Sequence, residues 1–177
     1  MAQTEIAVFG GGCFWCTEAV FELVKGVVKV SPGYAGGTVS NPTYRQVCTG
    51  TTGHAEVVRV EYDPQAVTFR DLLQVFFATH DPTTLNRQGA DVGTAYRSII
   101  LCTLPSQKAD AEAFIRELQG SFPGRPIVTE VEPLEAFYEA EDYHREYFRK
   151  NPLAPYCQIV IDPKLAKFRH HLASMLK

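Results

Sequence analysis

The chain has 177 residues, 45% hydrophobic and 21% charged, the balance of an ordinary globular protein with enough apolar material for one sizeable core. A formal net charge of −3 gives no electrostatic reason to expect nucleic acid or an anionic membrane as a partner. The five cysteines are an odd number in a chain with core to spare, so they read as reactive or buried thiols rather than as a disulfide framework.

Residues 6–9 form a short apolar run that predicts a strand, and residues 17–24 space apolar side chains for a helix. The strand lies so near Met1 that no signal peptide is expected ahead of it, and no apolar run approaches bilayer length, so the expected location is cytoplasmic. Between strand and helix, Gly10, Gly11 and Gly12 allow a sharp turn and lead into Cys13-Phe14-Trp15-Cys16. Cys13 should stand where the chain enters the helix, among N–H groups that lack an intrahelical acceptor. Those groups should lower its thiol pKa and hold a thiolate. One cysteine in such a turn would read as buried and inert. A second one three residues on, with two aromatic residues between, points to a nucleophile at Cys13.

Residues 26–31 predict a second strand, and residues 32–42, dense in turn formers, a long loop that Tyr34 and the following Tyr44 mark as ordered and functional. Residues 56–62 predict a third strand, closed by Asp63-Pro64. Thr68 or Asp71 then caps a helix running through Leu72, Leu73, Val75, Phe76 and Phe77 to about His80. A loop at residues 86–94 precedes a strand at 96–102. Ser106 opens an amphipathic helix through Leu118, residues 127–131 predict a last strand, residues 139–149 a helical stretch, and residues 163–176 a C-terminal helix. With no repeat or linker, residues 1–177 read as a single domain, and Pro152 and Pro155 are expected to keep a segment from about residue 151 irregular and mobile. The order β-α-β-β-α-β, then α-β and two late helices, predicts an α+β, ferredoxin-like split βαβ two-layer sandwich with long loops and a C-terminal helical extension.

Several blocks then resemble a known family. Gly12-Cys13-Phe14-Trp15, Gly33-Tyr34-Ala35-Gly36-Gly37, Asn41-Pro42-Thr43-Tyr44, Gly53-His54-Ala55-Glu56, His80-Asp81-Pro82, residues 88–94, Tyr96-Arg97-Ser98, residues 140–144 and Asn151-Pro152 are similar, in order and spacing, to the type A peptide-methionine sulfoxide reductases. The resemblance runs from Ile6 to about Cys157. It implies reduction of the S epimer of methionine sulfoxide, protein-bound or free, with thioredoxin as external reductant and no bound cofactor or metal. It also implies roles. Cys13 attacks the sulfoxide sulfur and becomes a sulfenic acid; Glu56 supplies the proton; Tyr44 and Tyr96 hydrogen-bond the oxygen; Phe14 and Trp15 wall the methyl group; Asp91 orders tyrosine and substrate. The residues can support this. Glu56 opens a strand whose alternation turns it to the face of Val58 and Val60, and a carboxyl poor in water near a thiolate has a raised pKa. Each phenol is a donor that stays protonated near neutral pH. His144 lies in a matching block and is read as structural.

Relatives commonly carry glycine after Gly-Cys-Phe-Trp, where this chain has Cys16. Cys16 falls on about the same helix face as Cys13, within reach of a disulfide if the helix start adjusts. Cys157, in Pro155-Tyr156-Cys157, falls where relatives place a resolving cysteine, and that match favours it. Both stay candidates. Cys48 and Cys102 are expected to be buried structural thiols. An alternative reading makes Cys13 and Cys16 the pair of a thioredoxin-like thiol-disulfide oxidoreductase, but leaves Glu56, Tyr44 and Tyr96 without a task. A zinc site lacks a second C-x-x-C pair. A ferredoxin-like RNA binder is disfavoured by the acidic balance. No feature argues for a dimer, and a monomer is expected.

Overall fold

The structure, a computed structural model, describes residues 3–177. Strand β1 (Glu5–Gly11) carries Ala7, Val8 and Phe9 with no exposed surface, as the apolar run requires of a strand covered on both faces. It pairs antiparallel with β3 (Ala55–Tyr62) on one side and with the later β6 (Ser98–Cys102) on the other. Between β1 and β3 the chain makes α1 (Phe14–Phe21), β2 (Val27–Ala35) and the short α2 (Tyr44–Cys48). After β3 come α3 (Phe69–Ala78), a two-residue hairpin of β4 (Arg87–Gln88) and β5 (Asp91–Val92), then β6. The chain continues through α4 (Pro105–Leu118), β7 (Glu130–Pro133), β8 (Phe137–Glu139), α5 (Tyr147–Lys150) and α6 (Asp162–His171).

The main sheet runs β7-β6-β1-β3-β2-β8, and every pairing is antiparallel except β6 with β7. Its inner four strands are the split βαβ arrangement, with β3 between β1 and β2, so the α+β expectation is met. The main core lies on the face of α1, α3, α4 and α6, where Phe9 stacks on Phe21, Phe69 and Phe76 with ring centroids 4.9–5.9 Å apart. The opposite face holds a small cluster of Val8, Ala35, Ala55, Val57, Ile99 and Leu101, partly covered by Leu134 and Phe137. Thr68 and Asp71 both act in the predicted cap of α3: each side chain accepts from the other's backbone N–H at 3.0 Å. No helix of the described residues is long and apolar enough to cross a membrane.

Some elements differ from the local reading. Pro32, Gly33, Tyr34 and Ala35 extend β2 instead of opening a loop, because β8 closes over that edge. A side chain at position 33 would collide with Phe137 and the Tyr138 carbonyl, so glycine there is a packing requirement rather than a turn signal. The predicted strand at 127–131 sits three residues later at its start, as β7 in parallel register with β6. The stretch 139–149 is not one helix. It ends β8, makes a 3₁₀ turn at Asp142–His144 and breaks at Glu146, whose φ of 53° is left-handed, before the single turn of α5. The predicted C-terminal helix stops at His171. A 3₁₀ turn, Ala173–Met175, follows, and the chain end is pinned to the end of the first helical region by Lys25 N–H to Met175 C=O and Lys177 N–H to Leu23 C=O, both 2.8 Å.

Candidate active site

Strand β1 delivers the chain to Gly12, whose φ of +103° suits glycine, and a Cβ there would press on the Gln88 side chain. The turn places Cys13 at the N-cap of α1 with extended backbone (φ −62°, ψ 128°), where the glycine run and the helical spacing predict it. Its side chain makes no cap bond; its carbonyl accepts from Cys16 N–H at 3.1 Å. Cys13 is only 8% exposed.

The expectation of a lowered thiol pKa does not hold. Burial pushes Cys13 well up, the Glu56 carboxylate and Cys16 push the same way, and the Trp15 N–H and the Tyr156 phenol only oppose it. The helix start is present, but it lies in a dry place, and its first free N–H serves the Glu56 carboxyl instead. Phe14 N–H donates to Glu56 Oε1 at 3.2 Å across 42 residues. The Cys13 thiol therefore rests protonated.

Glu56 lies on β3 at 1% exposure, on the same core face as Val58 and Val60, as strand alternation predicts. Its Oε2 is buried without a hydrogen-bond partner. Burial pushes its pKa up to about 8 and Asp91 adds to the rise, against the Phe14 N–H and the Cys13 thiol. At neutral pH this carboxyl is mainly protonated, a proton donor held beside a thiol.

Tyr44, at the first turn of α2, and Tyr96, at the end of a 3₁₀ turn before β6, are both half-buried. Burial and then the nearby Glu56 raise both phenols, so both remain donors. Tyr96 belongs to that turn and not to the strand predicted from 96. Tyr44 is fixed by its backbone N–H to Glu141 Oε2 (3.0 Å); Glu141 Oε1 accepts from the Tyr34 phenol at 2.8 Å. Cys48, expected to be buried, is exposed and lies beside the Tyr44 and Tyr96 phenols, because the five-residue α2 carries it to the site rim. Cys102, also expected inside, is half-buried at the end of β6.

Phe14 has no exposed surface and packs against Tyr34, Tyr44 and His144, so it underlies the site. Trp15 stays partly exposed. Its indole stacks on Tyr147 (centroids 3.7 Å, 7° between planes), meets the Tyr156 ring edge-on at 5.6 Å, and donates from Nε1 to His144 Nδ1 at 2.9 Å. Asp91, in β5 and expected to order Tyr96 and substrate, accepts instead from the Tyr156 hydroxyl (2.9 Å). The Tyr156 hydroxyl is also 3.6 Å from Cys16 Sγ. Cys16 is buried one helical turn from Cys13, its thiol raised by burial and opposed most by the Lys164 ammonium. Cys157 is fully buried in a π-turn, Cys157–Ile161, packed into the main core.

The structure thus brings Cys13, Phe14, Trp15, Cys16, Tyr44, Glu56, Asp91 and Tyr96 to one end of β1 and β3, and stations Cys157 behind them. Local reading marked Tyr34 only as part of a functional loop, gave Tyr147 and Tyr156 no role, and took His144 as structural. Their hydrogen bonds to the site span 65 to 140 residues, and only the position of Tyr156 next to Cys157 hinted at one of them. A cleft of about 620 Å³ lies on the other sheet face between Arg97, Glu130, Glu132 and Tyr138 and includes none of the thiols. Among the described residues no three His, Cys, Asp or Glu side chains come together where they could hold a metal ion.

Comparison with known proteins is consistent with this geometry. The family described as peptide methionine sulfoxide reductase matches residues 5–176. The peptide methionine sulfoxide reductase MsrA of Sulfolobus acidocaldarius is 59% identical over 164 residues, 93% of each chain. The crystal structure of Mxr1 from Saccharomyces cerevisiae in reduced form is similar with a TM-score of 0.81 and 36% identity, over 88% of this chain and 90% of that one. Mxr1 in complex with Trx2 gives a TM-score of 0.57 at 25% identity, over 82% and 85%.

Proposed function

The chain belongs to the peptide methionine sulfoxide reductase family, and from that premise we propose that it reduces the S epimer of methionine sulfoxide, protein-bound and free, through a sulfenic acid on Cys13. The observation that carries the reading is Glu56: a buried carboxyl raised to about 8, one oxygen held by the Phe14 N–H and the other free toward the nucleophile's surroundings.

The sulfoxide oxygen is the proton acceptor and its sulfur the electrophile. Glu56 gives its proton to that oxygen while the Tyr44 and Tyr96 phenols hydrogen-bond it, so the oxygen's charge is neutralised as the Cys13 sulfur attacks. Attack joins Cys13 Sγ to the methionine sulfur as the thiol proton passes to the Glu56 carboxylate. The protonated oxygen then moves as OH to Cys13 Sγ, and the S–O and S–S bonds to the methionine sulfur break, leaving their electron pair on methionine. The balance is one thiol and one sulfoxide to one cysteine sulfenic acid and one methionine. Trp15, with Phe14 beneath, supplies the apolar surface for the methyl group. Asp91 takes a main-chain N–H of the substrate. A protonated resting thiol suits this scheme, because nucleophile and acid are then both loaded.

A second thiol attacks the sulfenic sulfur, forming a disulfide and releasing water. Cys157 is the assigned resolving residue and Cys16, one turn from Cys13, the competitor. An outside dithiol then reduces the disulfide. The complex of yeast Mxr1 with Trx2 supports thioredoxin in that part. The dithiol-exchange alternative needs only Cys13 and Cys16 and has no use for a buried, protonated Glu56.

A stereospecific turnover assay tests the proposal. The native chain should consume the S epimer of N-acetyl-methionine sulfoxide and spare the R epimer, and Cys13→Ser should consume neither. Activity surviving in Cys13→Ser, or rapid insulin-disulfide reduction without sulfoxide turnover, would overturn it.

A further inference from the structure

Tyr156 touches the groups that a sulfoxide substrate would need. Its hydroxyl donates to Asp91 Oδ2 at 2.9 Å, and among the described residues it is the only hydrogen-bond donor to that carboxylate. Its ring lies edge-on against Trp15 with centroids 5.6 Å apart. The same hydroxyl is 3.6 Å from Cys16 Sγ. The next residue is Cys157, fully buried, and the next five form the π-turn that joins α6. The phenol–carboxylate bond is charge-assisted, so it is a strong tether at the mouth of the site.

We propose that Tyr156 is a positioning residue that couples the two halves of the reaction: in the empty site its phenol ties the Cys157 segment down through Asp91, and a substrate whose main-chain amide claims Asp91 releases that segment. The inference rests on the functional reading above, in which Asp91 contacts the substrate amide and Cys157 resolves. It goes further by naming the contact that keeps Cys157 buried until a substrate is bound. A peptide-like sulfoxide must take both the carboxylate and the Trp15 surface that Tyr156 now covers. Displacing the ring moves the backbone of the adjacent cysteine, because the two residues share a peptide bond. The resolving thiol is thereby withheld from oxidants and other thiols while no substrate is bound.

The test uses the full chain with Cys13→Ser, so that substrate binds without turnover and Cys157 stays a thiol. Two ligands are compared: N-acetyl-methionine-S-sulfoxide N-methylamide, which has the amide, and dimethyl sulfoxide, which has only the methyl sulfoxide. Trp15 emission reports binding, since it is the single tryptophan, and site-resolved mass spectrometry follows alkylation of Cys157 by iodoacetamide. Saturating amide ligand should speed Cys157 alkylation about tenfold or more, the population shift expected when a charge-assisted hydrogen bond is exchanged. Dimethyl sulfoxide should leave the rate near that of the empty chain. Adding Tyr156→Phe, which keeps the ring and loses the hydroxyl, should give the fast rate without ligand. Bound amide ligand with an unchanged Cys157 rate overturns the inference, as does equal acceleration by both ligands. If neither ligand alters Trp15 emission, the functional reading itself falls, and the inference with it.

Discussion

The indole N–H of Trp15 donates to Nδ1 of His144 at 2.9 Å, joining the start of α1 to a 3₁₀ turn 129 residues later. Burial lowers the His144 pKa, so the ring is neutral; because Nδ1 accepts, the proton is on Nε2, which is buried without a partner. His144 is therefore more than packing, since it fixes the orientation of the partly exposed Trp15 indole, the ring proposed above to wall the substrate methyl.

Replacing that acceptor should be visible in the ring it holds. His144→Phe keeps the bulk and leaves a part-buried indole N–H without its partner, a loss on the order of 1 kcal/mol. The expected result is a shifted Trp15 emission spectrum and a KM for the sulfoxide raised more than kcat is lowered. His144→Gln, which restores a carbonyl acceptor, should recover part of both. Unchanged emission with unchanged KM in His144→Phe would remove the assignment.

Glu56 predicts two opposite effects of one substitution. Glu56→Gln removes the proton donor and should slow single-turnover methionine release by about 10²–10⁴-fold. The folded pKa of Glu56 lies above its unfolded value, so the native state binds the extra proton between about 4.5 and about 8 and loses stability as pH rises through that window. The variant should thus gain on the native chain in urea denaturation at pH 8.5 and hardly differ at pH 4.5. Native activity should also fall as pH rises through about 8. A variant with full single-turnover rate would exclude Glu56 as the acid.

His80 predicts a slope on the acid side. Its Nδ1 donates to Phe76 C=O at 2.6 Å, its Nε2 accepts from the Ser98 hydroxyl at 2.8 Å, and Ser98 meets Thr129 at 2.7 Å. Burial, and next to it the Lys164 charge, lower its pKa to about 4 against the pull of the Phe76 bond. The unfolded chain then binds more protons between about 6.5 and 4, so the His80 contribution is present above 6.5 and fades as pH falls, by on the order of 3 kcal/mol. Glu18, buried and raised to about 7, slopes the other way over part of that range, so the total curve will be flatter than either. The clean measurement is a difference: the stability gap between native chain and His80→Gln should be wide at pH 7 and narrow at pH 4.5. A constant gap would show that His80 does not titrate there.

The thiols can be sorted by one mass-spectrometric experiment. After a single equivalent of sulfoxide without reductant, the native chain should hold one disulfide from Cys13 to Cys157. Cys157→Ser should stop at a sulfenic acid that a dimedone probe traps, or fall back on Cys16. A Cys13–Cys16 bond as the sole product of the native chain would reverse the assignment and make Cys157 a later relay or a bystander.

Features set by near neighbours in the chain were legible before folding. Gly12 and the helical spacing after it put Cys13 at a helix start, Thr68 and Asp71 formed their predicted cap, and alternation in β3 turned Glu56 to the face of Val58 and Val60. These are interactions within about four residues or with period two, and local pattern encodes them. Tertiary structure decided the rest. Pro32 and Gly33 carry turn chemistry, yet β3 pairs with both and β8 with Gly33, which holds them in a strand. Residues 139–149 carry helical spacing, yet Glu141 serves Tyr34 and Tyr44, and Glu146 takes a left-handed backbone. Cys13 has the N–H groups of a helix start but not the lowered pKa, because burial outweighs them and Glu56 takes the first of them. Solvent exclusion and contacts between residues 42 to 140 positions apart are properties of the closed structure, and no window along the chain contains them.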